Sequence, residues 1–116
     1  MRDDWGTYFL GIAQQVATRS TCTRAQVGAV IVRDKRIIAT GYNGSAPLEP
    51  HCSDVGCLVV DDHCVRTIHA EENAIISCAR FGIATEGARL YSSMEPCHRC
   101  RIRMLNAGIT LWIYSR

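Results

Sequence analysis

The alternation of strands and helices along this chain constrains its fold more than any other feature of the sequence. Apolar periodicity and turn residues predict the order α-β-β-α-β-α-β, with a helix from Asp3 or Asp4, strands at 26–32 and 36–40, a helix at 69–81, a strand at 88–92, a helix from Pro96 to 106–108, and a strand at 110–114. Two strand–helix–strand units favour an α/β fold, in which helices pack on the faces of a mixed sheet. We expect one domain that covers residues 1–116.

Two stretches carry further structural information. The first predicted helix has one continuous apolar face, which predicts core packing for its members: Trp5, Tyr8, Phe9, Ile12, Ala13 and Val16. Residues 44–68 resemble a long loop that contains several cysteines and histidines. A loop of this length in a small domain is usually functional or held by a metal ion.

Composition and charge exclude several classes of protein. Hydrophobic residues make up 47% and charged residues 21% of the chain, which is ordinary for a globular domain and unlike a disordered one. A net charge of +2 is too small for a surface that coats nucleic acid. No secretory signal fits the first residues, and no run approaches the roughly 20 apolar residues of a membrane span. We therefore expect a cytoplasmic protein with no nucleic-acid or membrane partner.

The chain contains seven cysteines, a high and odd number. A disulfide scaffold is a poor interpretation without an export signal, whereas clustered cysteines in a reducing compartment indicate metal binding or catalysis. The alternative is that they are buried as small apolar residues. Cys78, on the apolar face of the predicted 69–81 helix, fits that alternative.

Two short motifs carry the chemistry. His69-Ala70-Glu71 and Pro96-Cys97-His98-Arg99-Cys100 each lie at the start of a predicted helix. Together they match the H-x-E…P-C-x-x-C signature of zinc-dependent nucleobase deaminases. Each half alone is a weak signal, but both together, in this order and separation, are a specific one.

The residue types suit this chemistry. Cys97 and Cys100 share one face of a first helical turn, where the helix dipole favours thiolates, and His69 completes three zinc ligands with a fourth position left for water. His69 and Glu71 can converge only if His69 sits at the very start of its helix. Zinc lowers the pKa of bound water towards about 7. Glu71, which is no ligand in this hypothesis, takes the water's proton, passes it to the adjacent ring nitrogen, and later protonates the leaving ammonia. A closed zinc knuckle is the alternative, but it would not need Glu71.

The chain resembles the deoxycytidylate (dCMP) deaminase family, including its bacterial late-competence type. The matching segments cover most of the chain from residue 22 onward: 22–32, 40–44, 51–52, 64–75, 90–91, 95–97 and 106–109. The resemblance implies a cytidine deaminase-like three-layer α-β-α sandwich with zinc between two helix ends. It implies deamination of dCMP to dUMP in pyrimidine deoxynucleotide metabolism. It also implies that Asn43 contacts the deoxyribose, and that Ala70 and Glu71 address the base.

A second, structural zinc is also implied, because family members carry one with ligands at the positions of Cys22 and Cys52. The preferred set here is Cys22, Cys52, Cys57 and Cys64, with His63 or His51 as substitutes. The alternative is that these thiols only pack the loop.

The residues indicate the phosphate-binding and regulatory sites less specifically than they indicate the zinc ligands. Phosphate requires cations, and Arg24, Arg66 and Arg80 are candidates. Arg80 corresponds to a family position near the nucleotide phosphate. The resemblance further implies a hexamer, activation by dCTP with magnesium, and inhibition by dTTP.

Two departures from the family leave the substrate open. First, the segment Tyr91-Ser92-Ser93-Met94-Glu95 replaces a more usual Tyr-Val-Thr run that lines the approach to the base. Second, the family usually continues past the position of Arg116 with a strand and a helix that help close the nucleotide pocket. Alternatives are dCTP, cytidine or adenosine in tRNA, although the Glu72-Asn73 continuation and the Gly41–Gly44 turn favour the nucleotide. A non-catalytic zinc-stabilised binding module is the alternative outside enzymes.

Overall fold

A four-stranded sheet with helices on both faces forms the body of the protein. The computed structural model describes residues 1–115, except for the side chain of His63. Its elements are α1 (Trp5–Ala17), β1 (Gly28–Arg33), β2 (Arg36–Tyr42), α2 (Cys52–Val55), β3 (Val59–Val60), β4 (His63–Cys64), α3 (Ala70–Arg80), β5 (Arg89–Ser92), α4 (His98–Asn106) and β6 (Leu111–Tyr114). No helix within residues 1–115 is long and apolar enough to cross a membrane.

The sheet is mixed, with the strand order β2-β1-β5-β6. β1 is antiparallel to both of its neighbours, whereas β5 and β6 are parallel. Because β1 is antiparallel to both, β2 and β5 run in the same direction and end at the same edge. The register confirms this geometry, since Tyr42 pairs with Gly28 and Ser92 pairs with the adjacent Ala29. The segments that follow β2 and β5 therefore leave the sheet side by side.

Two hydrophobic cores lie on opposite faces of the sheet. On one face, Phe9 and Ala13 of α1 pack against Val30, Val32 and Tyr91. On the other face, the core combines small residues of α3 with larger ones from the sheet, α4 and its exit: Ala70, Ala74, Cys78, Ile31, Leu90, Met104 and Ile109. The predicted three-layer α-β-α sandwich with a mixed sheet is confirmed. Cys78 lies in this core.

Two glycines let helices approach the sheet closely. A Cβ atom on Gly28 would lie 2.0 Å from the carbonyl oxygen of Ala13, on α1. A Cβ atom on Gly41 would lie 2.3 Å from the carbonyl oxygen of Ala70 and 2.5 Å from the backbone nitrogen of Ala74. No real side chain fits at such distances, so Gly41 allows the first turn of α3 to lie directly on β2.

Three predicted details are wrong. Helix α4 begins at His98 with Cys97 as its N-cap, so Pro96 lies before the cap and not in the first helical position. Trp5 and Tyr8 are 50% and 47% exposed, although they belong to the apolar face of α1. The first turn of this helix lies beside the hairpin turn, where the Lys35 ammonium sits 5.5 Å from the Trp5 ring centroid.

The segment 44–68 is more ordered than its sequence predicts. It contains the short helix α2 and a two-stranded antiparallel ribbon of β3 and β4. Ile68 returns to the body of the protein by pairing with Gly44. Periodicity does not reveal elements of two to four residues, because they are too short to repeat a pattern.

Substituting Gly41 tests the close approach of α3 to β2. Gly41→Ala is expected to lower the free energy of unfolding by about 1–3 kcal/mol, because the added methyl group overpacks the contact. Gly11→Ala is the matched control, since Gly11 lies in α1 and a Cβ atom there meets nothing within 4 Å. The control is expected to raise stability by about 0.5–1 kcal/mol. Equal effects of the two substitutions in urea unfolding would contradict the packing argument.

Candidate active site

His69 occupies the N-cap of α3, where the backbone has not yet become helical. Its φ of −66° and ψ of 152° are extended values, and α3 begins at Ala70. Because His69 lies just outside the helix, its imidazole does not have to follow the helical direction that would point it away from Glu71. The close contact at Gly41 fixes this first turn against the end of β2.

Cys97 and Cys100 come from the start of α4, directly opposite. Cys97 is the N-cap of α4, and Cys100 lies three residues later in its first turn. The Nδ1 atom of His69 lies 3.5 Å from the Cys97 sulfur and 3.3 Å from the Cys100 sulfur. The ligand atoms of all three residues lie within 4.8 Å of one another.

This donor set fits a zinc ion. Around tetrahedral zinc, bonds of about 2.0–2.1 Å to nitrogen and 2.3 Å to sulfur give a nitrogen–sulfur edge of about 3.5 Å. Burial, followed by the charge of Glu71, raises the pKa of the Cys100 thiol. A bound cation would offset both effects, because it favours the thiolate. Three protein ligands leave the fourth position of a tetrahedral site open.

Glu71 lies beside this cluster with only 4% of its surface exposed. Burial raises the pKa of its carboxyl group above the ordinary value, and the nearby charge of Glu72 raises it further. Hydrogen bonds from its own backbone N–H and from Cys100 act in the opposite direction without cancelling the shift. A buried carboxyl group with a raised pKa can both accept and donate a proton, as general acid–base catalysis requires.

An open cavity of about 260 Å³ connects these residues to solvent. His69, Ala70, Glu71 and Cys97 form part of its wall, and Asn43, which directly follows β2, also lines it. The Asn43 amide accepts a hydrogen bond from the Val27 backbone N–H and donates one to the Ala25 carbonyl. One N–H and one oxygen lone pair of this amide remain for a ligand.

The three candidate arginines have different surroundings. Arg24 lies in the cavity wall and is the one arginine or lysine among the described lining residues. Its guanidinium nitrogen lies 4.0 Å from a carboxylate oxygen of Asp62. Arg66 donates to the Gly56 carbonyl in the loop. Arg80 does not line the cavity of this chain, because it ends α3 at the helix terminus opposite His69 and lies over the Phe81 ring.

A second group of candidate ligands lies in the loop segment. The sulfur atoms of Cys22, Cys52, Cys57 and Cys64 lie within 4.8 Å of one another, which suits a four-coordinate zinc ion. Partial burial opposes ionisation of Cys64, but hydrogen bonds from the Arg66 backbone and from Cys52 outweigh it and lower its pKa to about 6. His51 instead lies 3.1 Å from the Thr21 hydroxyl. The side chain of His63 lies outside the described residues.

The two clusters share the cavity. Cys22 and Cys64 of the four-cysteine group line it together with His69 and Glu71. The ribbon also brings Asp62 to the rim. The sequence did not indicate Asp62 or Thr67 as lining residues, because both lie in a segment whose short elements carry no periodicity. Glu72 was also missed, although a glutamate three residues after a helix N-cap is a recognised capping pattern.

The raised pKa of Glu71 predicts a pH-dependent cost in the zinc-free protein. The folded state holds the Glu71 proton more tightly than the unfolded chain does, whose Glu pKa is near 4.5. The folded protein therefore loses stability as the pH rises through the folded-state pKa of Glu71. Glu71→Gln is therefore expected to raise the free energy of unfolding at pH 7 and to have no such effect below pH 4.5. Urea unfolding with a chelator present measures it, and Glu49→Gln, at an exposed carboxylate, is the control. A difference that does not change with pH would contradict the prediction.

Comparisons with known proteins agree with this geometry. Residues 3–116 match the family model of the cytidine and deoxycytidylate deaminase zinc-binding region. The chain is 52% identical to ComE operon protein 2 of Bacillus subtilis, covering 98% of this chain but only 60% of that protein. It is 40% identical to the deoxycytidylate deaminase of Mycobacterium phage D29, covering 99% and 97%.

A solved structure is similar over nearly the whole chain. The dCMP deaminase of cyanophage S-TIM5, in complex with dCMP and dUMP, superposes with a TM-score of 0.84 at 27% identity, covering 98% of this chain and 82% of that one. The fold is thus the cytidine deaminase-like one that the sequence predicted. The chain belongs to the cytidine and deoxycytidylate deaminase family, whose zinc-binding region it contains.

Proposed function

We propose that residues 1–116 act as one domain that hydrolyses dCMP to dUMP and ammonia. The observation that carries the proposal is the buried carboxyl group of Glu71 beside the His69, Cys97 and Cys100 cluster, at the wall of an open cavity. A structural zinc knuckle has no use for a cavity or for a buried acid of raised pKa. Hydrolytic deamination needs both, because water and base must meet at one proton-transfer group.

The relatives support the choice of substrate. The D29 protein, which this chain covers almost completely, is named deoxycytidylate deaminase, and the S-TIM5 enzyme binds dCMP and dUMP. The chain spans 60% of the length of the Bacillus protein. The activity proposed here is therefore that of the shared region.

Glu71 carries the proton transfers in this mechanism. A zinc ion held by His69, Cys97 and Cys100 would supply an activated water molecule, whose pKa it lowers towards about 7. Glu71 takes one proton from the attacking water and passes it to the ring nitrogen next to the reacting carbon. It then takes the remaining proton of the added hydroxyl group and gives it to the amino group, which leaves as ammonia as the carbonyl forms. The raised pKa of Glu71 suits an acid that is protonated and deprotonated in one cycle.

Residues around the cavity would bind the rest of the nucleotide. Asn43 has one donor and one acceptor left for a deoxyribose hydroxyl group, as the family resemblance implies. The first turn of α3 at Ala70 presents backbone to the base. Arg24 would bind the phosphate group by exchanging its weak contact with Asp62 for a doubly charged partner.

We further propose two zinc ions per chain, the second at Cys22, Cys52, Cys57 and Cys64. The separation of 3.6 Å between the Cys52 and Cys64 sulfurs supports it, because a sulfur–sulfur edge around zinc is about 3.8 Å. Magnesium, the dCTP and dTTP effectors, the hexamer and a cytoplasmic location stay predictions from the sequence.

A direct assay tests the proposed activity. Zinc-loaded protein is mixed with dCMP, and the loss of cytosine absorbance is followed beside Glu71→Gln. The wild-type protein is expected to turn over dCMP, and the variant is expected to lose at least about 100-fold in kcat, roughly the contribution of general acid–base catalysis. Zinc content measured on both proteins is the control. Cytidine and dCTP are run as alternative substrates, and preference for either would correct the substrate. Zinc-loaded protein inactive on all three would contradict the proposal.

A second experiment tests the phosphate contact. Arg24→Gln is expected to raise KM for dCMP about 3- to 10-fold with little change in KM for deoxycytidine, because the half-exposed guanidinium contributes a modest charged hydrogen bond. Arg80→Gln is the matched control, since Arg80 lies away from the cavity of this chain. A larger effect of Arg80→Gln than of Arg24→Gln would favour the family position and contradict this assignment.

A further inference from the structure

Glu72 makes an unusual set of contacts for a residue outside the cavity. Its Oε1 atom accepts a hydrogen bond from the His69 backbone N–H at 3.1 Å and one from the Arg99 guanidinium at 3.0 Å. Its Oε2 atom lies 2.8 Å from Nε of Arg103. Both carboxylate oxygens are therefore engaged, one by the N-cap of α3 and both by arginines of α4.

The burial of Glu72 makes these contacts strong. Its side chain is only 11% exposed, whereas the two arginines are about half exposed. A buried carboxylate is costly unless it is paired and hydrogen-bonded, and a pair that excludes most water is screened less than a surface pair. Removing one partner would leave a poorly compensated charge between the helices.

The two ends of this network are the two halves of the metal site. His69 is the only imidazole donor of the cluster among the described residues, and Glu72 holds the backbone of that residue. Arg99 lies between Cys97 and Cys100 in sequence, and Arg103 lies one turn further along the same helix. Glu72 thus links the helices through side chains, independently of the strand that connects them along the chain.

We propose that Glu72 is a positioning residue that holds His69 in register with Cys97 and Cys100. It acts through the N-cap of α3 and through α4, and it touches neither the cavity nor the reacting atoms. Glu71 and Glu72 thus divide two roles between adjacent carboxyl groups. Glu71 faces the cavity and the chemistry, whereas Glu72 faces the helix pair and sets the distances between ligand atoms.

The experiment compares Glu72→Gln and Arg103→Gln with Glu49→Gln as a matched control. In Glu72→Gln, the new amide oxygen can still accept a hydrogen bond from the His69 backbone N–H. The amide nitrogen, however, faces an arginine N–H, so that two donors oppose each other and no hydrogen bond forms there. Zinc affinity is measured by chelator competition, and His69→Ala identifies which class of bound zinc belongs to this site. Absorption spectra of the cobalt-substituted proteins report the geometry around the metal.

Glu72→Gln is expected to weaken zinc at this site about 10- to 100-fold, as loss of a supporting contact around a ligand typically does. The cobalt bands are expected to shift, kcat is expected to fall with KM for dCMP unchanged, and Arg103→Gln is expected to act in the same direction. Zinc at the four-cysteine cluster is expected to be unaffected. Unchanged zinc affinity and cobalt spectrum in Glu72→Gln, or equal loss from both clusters, would overturn the proposal.

The proposal rests on the assignment of a metal site within the proposed function, but its main readouts are separate from turnover. A wild-type protein that fails to deaminate any cytosine substrate would count against the proposed function alone. The zinc and cobalt measurements would still decide the role of Glu72.

Discussion

The contact between Gly41 and the first turn of α3 is the constraint on which the site depends. The missing side chain allows the backbone of α3 to lie on β2, so that His69 is presented at the edge where β2 and β5 both end. The segment after β5 reaches the same edge and delivers Cys97 and Cys100 at the start of α4. A helix held further out would separate the imidazole from the thiols, and three ligands no longer within reach of one ion would bind it poorly.

The site also concentrates groups that destabilise one another without a cation. Two thiols and two carboxyl groups lie close to two helix starts, and burial raises the pKa values of Cys100 and Glu71. Helix N-termini favour negative charge, but only in part. Two different kinds of cation can offset this negative charge. The ligand cluster suits a metal ion, and two arginines neutralise Glu72. Of the two adjacent carboxyl groups, Glu71 is left without such an arginine pair within residues 1–115, and it is therefore the one better suited to proton transfer.

The loop segment between β2 and α3 has a different physical basis from the sheet. Its apolar residues are largely outside the core, and Leu58, Val59, Val60 and Val65 are each about half exposed. It is connected to the body by the pairing of Gly44 with Ile68 and by the approach of three loop cysteines to Cys22. Because Cys64 and Asp62 also form part of the cavity wall, whatever holds this cysteine cluster together shapes the cavity in which Glu71 lies.

The sequence by itself determined the layers of the fold and the chemistry of the two motifs. Periodicity marked the long elements, and the spacing within each motif, His69 to Glu71 and Cys97 to Cys100, suited zinc chemistry, because both depend on neighbours within a few residues. Contacts between distant segments were decided only by the tertiary structure. The features decided in this way include the exposure of Trp5, the ribbon that carries Asp62, the position of Arg80 away from the cavity, and the bridge from Glu72 to α4. Each depends on how two elements are oriented in space, and local pattern does not encode that orientation.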